Sequence, residues 1–365
     1  MRALLRRFLL VALSMLALVW LSMLAGCEHR GEATGGQGTG SSVATGSTAM
    51  ADGAGATDSP ATTDGPASIS PSTRAPIDNC GFTVELGEVP QRIVTVKSSP
   101  LELLLALGLG ERVVGAAYLD GPLPDWLAAA PGAAVTERPL AEKVPSLEAV
   151  LALTPDMVFA GWESNVGASG IADRARLAEL GVRTYVAPAA CQEPAYQPNP
   201  LTFESVMDGI RQAGQVFGAE AAAESLVSQQ QALYATVQPV GGGRTALWWS
   251  SATDTPYVGA GIGAPALIMQ AVGLTNVAGD VAETWTSYSW EAVAAADPDV
   301  LVLVDSTWNT AQHKIDFLES SPLTRSLTAV QERRYLTVPF AATEAGVRTV
   351  HAMVDLATQL ESLDG

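Results

Sequence analysis

Lys97, Ser98 and Ser99 follow a β-branched run, Arg92 to Val96, and precede a helical pattern from Pro100 to Leu107. A serine in a strand-to-helix turn is where a nucleophile elbow sits. The glycines of Gly-x-Ser-x-Gly are absent, however, and no histidine except His351 on the terminal helix is placed to act as a base. His313 and His351 read as exposed helix residues, so catalysis is not expected and the turn reads as a binding element. The same arrangement recurs along the chain. Tyr118 and Asp120 follow the second run, Trp162, Glu163, Ser164 and Asn165 the third, and Tyr196 lies in the loop after the fourth. In the second half come Trp249, Ser250 and Ser251, then Tyr257, Trp285 and Tyr288, then Ser306, Trp308 and Asn309, and last Phe340, Glu344 and Arg348.

Open α/β sheets bind ligands beyond the carboxyl ends of their strands, and in a two-lobed protein those ends face a shared cleft. The candidate ligand-binding set is therefore Lys97, Ser98, Ser99, Tyr118, Trp162, Tyr196, Trp249, Ser250, Tyr257, Trp285, Tyr288, Trp308 and Arg348. Aromatic walls with a few polar handles suit a flat conjugated ligand. A tryptophan at a strand end also serves as core packing; Trp248, alternating with Trp249, is assigned to the core, and Trp290 opens a helix. The candidate cations are few: Lys97, Arg348 and Lys143. A strongly acidic ligand is thus poorly served, and a neutral or weakly anionic one fits better. Arg348 reads equally well as a surface residue of the last helix.

The elements that must hold these residues alternate between short strands and helices, as in parallel sheets with crossover helices. Strands are expected at 92–96, 112–116, 156–160 and 183–187 in a first lobe, and at 245–249, 300–304 and 334–338 in a second. A long helical stretch from Phe203 to Thr236 reads as one continuous connector. The most informative internal feature is a repeat: Ser146-Leu-Glu-Ala-Val-Leu-Ala-Leu-Thr-Pro-Asp against Ser289-Trp-Glu-Ala-Val-Ala-Ala-Ala-Asp-Pro-Asp, identical at seven of eleven positions. In each copy a serine N-cap opens a helix that stops before proline, and Pro-Asp leads into a strand. The expected fold class is α/β, with two Rossmann-like lobes joined by one long helix. Residues 77–202 form the first lobe, 203–237 the connector and 238–365 the second lobe.

Residues 1–26 have the form of a secretory signal, with Arg2, Arg6 and Arg7 before an apolar run from Phe8 to Leu24. Leu24-Ala25-Gly26-Cys27 resembles a bacterial lipobox, which makes Cys27 a lipid anchor on the outer face of the cell membrane. An uncleaved membrane helix is the rival reading, since the run approaches the ~20 residues that span a bilayer. Residues 27–76 are rich in Gly, Ser, Thr, Ala and Pro and read as a disordered tether. Loss of the three signal arginines leaves 17 basic against 38 acidic residues, a net charge of −21 that repels phosphate backbones and argues against nucleic-acid partners. With Cys27 acylated, Cys80 and Cys191 remain to form a disulfide in an oxidising compartment. Two cysteines and distant histidines make a poor zinc set, so no metal and no resident cofactor are expected.

From about Cys80 onward the chain resembles the class III substrate-binding proteins of ABC importers, the group carrying siderophores, haem and cobalamin. The resemblance rests on Pro90-Gln-Arg-Ile-Val-Thr-Val-Lys-Ser-Ser-Pro-Leu-Glu-Leu-Leu-Leu-Ala-Leu-Gly-Leu-Gly, Arg112-Val-Val-Gly, the Ser146 to Val158 segment and Leu180-Gly-Val. A narrower likeness, carried by Pro188 to Pro198, Asp254 to Pro265, Thr284 to Val293 and Pro339 to Arg348, is to binding proteins proposed to import a precursor of the deazaflavin coenzyme F(420). The resemblance implies a capture protein for a small molecule, delivering it to ABC permease subunits; a monomer is expected, and one continuous connecting helix is expected to let the lobes close only slightly. It also implies one docking carboxylate per lobe: Glu291 in the second and, in the first, Glu163 or Asp173 after Trp162, whereas the internal repeat nominates Glu148. Glu148 and Glu291 equally stabilise a positive helix N-terminus. Siderophore and cobalamin remain alternative ligands, and a receptor or adhesion module without a transporter is the alternative role.

Overall fold

A computed structural model of the chain describes residues 74–363. The signal, Cys27 and most of the tether lie outside the described residues. A hairpin of β1 (Ile77–Asn79) and β2 (Phe82–Val84) opens the fold. The first lobe is a four-stranded parallel sheet in the order β4-β3-β5-β6, built from β3 (Ile93–Val96), β4 (Val113–Ala117), β5 (Met157–Ala160) and β6 (Arg183–Val186). These strands lie within a residue or two of their expected positions, because each is a short β-branched run buried on both faces.

The second lobe is a six-stranded sheet around β7 (Thr245–Ser251), β11 (Val300–Asp305) and β12 (Tyr335–Pro339), which run parallel. Three short strands complete it: β8 (Tyr257–Gly259) and β10 (Trp285–Ser287) run antiparallel on one edge, and β9 (Thr275–Asn276) pairs with β7. Strands of two or three residues carry no alternation of their own, and their pairing follows from β7.

The repeat is structural in detail. Ser146 Oγ accepts from the Ala149 amide and Ser289 Oγ from the Ala292 amide. Thr154 and Asp297, at matching positions, both take a left-handed φ. Asp156 accepts from the Gln91 and Arg92 amides ahead of β3, and Asp299 from the Thr245 amide and hydroxyl at the start of β7. In both lobes this aspartate pins the amino end of the neighbouring strand.

The connector departs from expectation. It is a hairpin of two helices, Phe203–Phe217 and Glu220–Tyr234, rather than one rod. Gly218 ends the first helix in the left-handed conformation that favours glycine, and Gly214 lets the second pass close, since a Cβ there would lie 2.5 Å from that of Ala223. Phe203 stacks on Tyr234 across the open end, and Arg211 binds Glu224. One apolar cluster runs from Ile93, Phe159 and Tyr185 through Ile210, Phe217 and Leu226 to Trp248, Val302 and Met353. The outer face of each sheet has its own smaller cluster.

The Cys80–Cys191 disulfide is present and ties the opening hairpin to the loop after β6. Closing 111 residues restricts the unfolded chain, worth about 4–5 kcal/mol in the chain-entropy model. Among the described residues no helix is long and apolar enough to cross a membrane.

Candidate ligand-binding cleft

A cavity of about 1230 Å³ lies between the carboxyl ends of the two sheets. Lys97 is its centre on the first-lobe side. It follows β3 directly, caps the helix Ser98–Ala106, and is 1% exposed. Its backbone, φ 85° and ψ 162°, occupies a region that only glycine enters freely, at a cost of about 1–3 kcal/mol. Neighbouring contacts hold it there. The ammonium pairs with Asp120 and lies 3.9 Å from the ring centre of Trp162, 4.3 Å from that of Tyr118 and 4.9 Å from that of Phe340. Ser98 fixes Asp120 by receiving its amide proton at Oγ and donating its own amide to Oδ2. Gly161 makes room, because a Cβ there would come within 2.7 Å of the Lys97 Cβ.

Of the sequence candidates, Lys97, Ser99, Tyr118, Trp162, Ser250, Tyr257, Trp285 and Trp308 line the cavity. Tyr257 and Trp285 do so as near-parallel rings from β8 and β10, 15° apart in tilt. Trp308, 62% exposed, forms the rim and meets Phe340 edge-on.

Five candidates fall elsewhere. Ser98 lies behind Asp120. Tyr196 points away, its hydroxyl on Asp78. Trp249 is buried against Trp290 and Phe317, because β7 runs on to Ser251 and leaves this ring two residues short of the strand end. Tyr288 packs against the same outer cluster, donating to the Val277 carbonyl. Arg348 makes a two-pronged ion pair with Glu102, Nε to Oε2 at 2.7 Å and the second nitrogen to Oε1 at 2.5 Å, and also donates to the Pro122 carbonyl. It joins the lobes and does not face the cavity.

Burial pushes the Glu102 carboxyl up from its ordinary value, and Arg348 offsets this only in part. Nearby, Trp126 of the first lobe stacks on His351 of the last helix, and the Leu201 amide donates to the Ile262 carbonyl. Lining residues absent from the candidate set include Asp120, Phe340 and Glu344, all at post-strand positions, together with Gln192 and Gln197 from the disulfide loop. Burial pushes Glu344 up to about 7, with Lys97 acting to lower it, Asp120 to raise it and a hydrogen bond with Trp162 to lower it.

Glu148 and Glu291 stand exposed in the first turns of their helices, where Glu148 is held below the usual range by the backbone and Ser146. Glu163 is half-buried and accepts from the Gln192 amide at 2.6 Å. Among the described residues no cluster of His, Cys, Asp and Glu is arranged to hold a metal ion.

Residues 93–342, from β3 to the start of the last loop, match the family model described as periplasmic binding protein. The chain belongs to the periplasmic binding protein family. This is a family of transport binding proteins rather than enzymes. Solved structures share the fold. A periplasmic binding protein from Veillonella parvula superposes with a TM-score of 0.68 at 22% identity, covering 79% of this chain and 97% of that one. A structure described as an ABC-type Fe3+-hydroxamate transport system, from Saccharomonospora viridis, gives 0.66 at 26% identity, with 80% and 99% covered. A periplasmic heme-binding protein from Roseiflexus gives 0.58 at 23%, with 75% and 99% covered. No curated protein sequence matches this one.

Proposed function

We propose that this periplasmic binding protein is the capture subunit of an ABC importer, held at the membrane by lipid on Cys27, and that its ligand is an iron(III) complex of the hydroxamate class. The observation carrying this reading is the state of Lys97. It is the deepest cation of the cleft and is already engaged by Asp120, so a polyanionic complex would find no free positive charge at that depth. Three hydroxamates cancel the charge of Fe3+, leaving a neutral shell for the rings of Trp162, Tyr118 and Trp285. The likeness to the Saccharomonospora viridis structure supports the same class. A deazaflavin coenzyme F(420) precursor is the second reading. It is favoured by the near-parallel pair of Tyr257 and Trp285 and by the sequence segments that carry both rings. Glu291, with Glu148 or Glu163, would meet the permease.

Tryptophan fluorescence of the detergent-solubilised chain, titrated with a ferric trihydroxamate, a deazaflavin precursor, haem and cobalamin, tests this. Saturable quenching by the hydroxamate, weakened at least tenfold (~1.4 kcal/mol) in Trp162→Ala, is expected. Binding of the deazaflavin alone selects the second reading. Silence towards all four ligands rejects the importer role in favour of a receptor or adhesion module.

A further inference from the structure

The cleft holds an imbalance of charge that its own residues do not resolve. Lys97 is a single ammonium facing two carboxylates. Asp120 takes it directly, with Ser98 holding that carboxylate in place through two hydrogen bonds. Glu344, on the loop after β12, lines the same cavity from the opposite lobe without an ion-pair partner of its own among the described residues. Its surroundings are well defined. From the first lobe, Lys97, Asp120 and the Trp162 indole act on it; from the second it faces Tyr257, whose hydroxyl is pushed up by burial, then by Glu283 and then by Glu344. Glu142 and Lys143 also line the cavity, and both are exposed. On its own segment the nearest cation, Arg348, is committed to Glu102. A half-buried carboxylate at a cavity wall with no ion pair of its own is costly, and a bound cation relieves that cost.

We infer that Glu344 is an anionic recognition group, and that the cleft selects ligands bearing a protonated amine, seated between Glu344 and the rings of Trp162 and Tyr257, in addition to an apolar or metal-chelating body. This rests on the cleft being the ligand site, as proposed above. It separates ligands that the aromatic walls alone would treat alike, because a charged group added to one end of a neutral chelate gains a partner here and an anionic group meets repulsion.

The test uses paired probes on the full chain: ferrioxamine B, whose ferric trihydroxamate carries a free ammonium, and its N-acetylated form, which is identical in the chelate but neutral. Isothermal titration at pH 8 is expected to show the ammonium form binding at least tenfold more tightly, and Glu344→Gln is expected to abolish that preference. The wild-type chain supplies a second readout that needs no variant. Between pH 6 and pH 8 a carboxyl titrating near 7 goes from mostly neutral to mostly charged while the amine stays protonated. Affinity for the ammonium form should therefore rise about tenfold over that range, and that of the acetylated form should not. Equal affinities for the two probes, or tighter binding of the neutral one, overturn the inference and leave the cleft reading intact. Binding of neither probe overturns the inference and the iron-hydroxamate reading together.

Discussion

Two charge groups, one buried and one at the cavity wall, are built from the same pair of segments. The stretch 97–102 supplies Lys97 and Glu102, and the stretch 344–348 supplies Glu344 and Arg348. Glu102 and Arg348 meet as a two-pronged pair with good hydrogen-bond geometry, each at most 8% exposed, and the Pro122 carbonyl takes one of the remaining donors. Four to five residues earlier on both segments, Lys97 and Glu344 face open space instead, and Lys97 leans on Asp120. The first group is closed: every charge has a partner of the same chain, and its work is to hold the lobes together. The second is left one cation short at the wall of a cavity. Similar chemistry thus serves cohesion where it is balanced and, on the inference drawn above, recognition where it is not.

The sharpest way to break this contrast is to unbalance the closed pair. Arg348→Met strands a buried carboxylate, and chemical denaturation is expected to report a loss of about 3–5 kcal/mol. Adding Glu102→Leu should recover most of that loss, since an apolar pair of similar volume replaces a buried ion pair at little cost. If the single substitution is harmless, the pair does not join the lobes as described.

Glu344→Gln should act in the opposite direction. Its folded-state value, about 7, lies above the ordinary 4.5, so the charged carboxyl opposes folding, and stability falls as pH rises from about 4.5 to 7. The glutamine variant is expected to be more stable than wild type by roughly 2–3 kcal/mol at pH 8 and no more stable at pH 4. Denaturation curves at the two pH values decide it, and a variant weaker at pH 8 would mean that Glu344 is held by a partner after all. The smallest effect belongs to Trp126→Ala, which removes the stack on His351 beside the closed pair. About 1 kcal/mol is expected from the same measurement, with cleft affinity unchanged because neither ring lines the cavity.

The positions of the parallel strands are legible in the sequence, because β-branched runs bounded by turns mark both the strand and its carboxyl end. Lys97, Tyr118, Trp162 and Trp308, which follow such runs, line the cavity. Tyr257 and Trp285 line it too, but from short antiparallel strands that no local pattern announces. Trp249 was misplaced by the two extra residues of β7, which turned its ring into the outer core. Arg348 could not be read at all, since its partner lies 246 residues away. The connector's break was readable in principle: Gly218 followed by Ala-Glu is an ordinary helix stop and restart, and the length of the helical pattern concealed it.

The apolar cluster that passes from the first sheet through the helix hairpin to the second sheet has a thermodynamic consequence. Two lobes with separate cores can melt one after the other, each with its own heat-absorption peak. Here Ile210, Phe217 and Leu226 belong to the interior of both, so neither lobe can lose its packing without exposing the other's. Calorimetry should accordingly record a single cooperative transition spanning the whole folded region, although the chain is divided in two by its cleft.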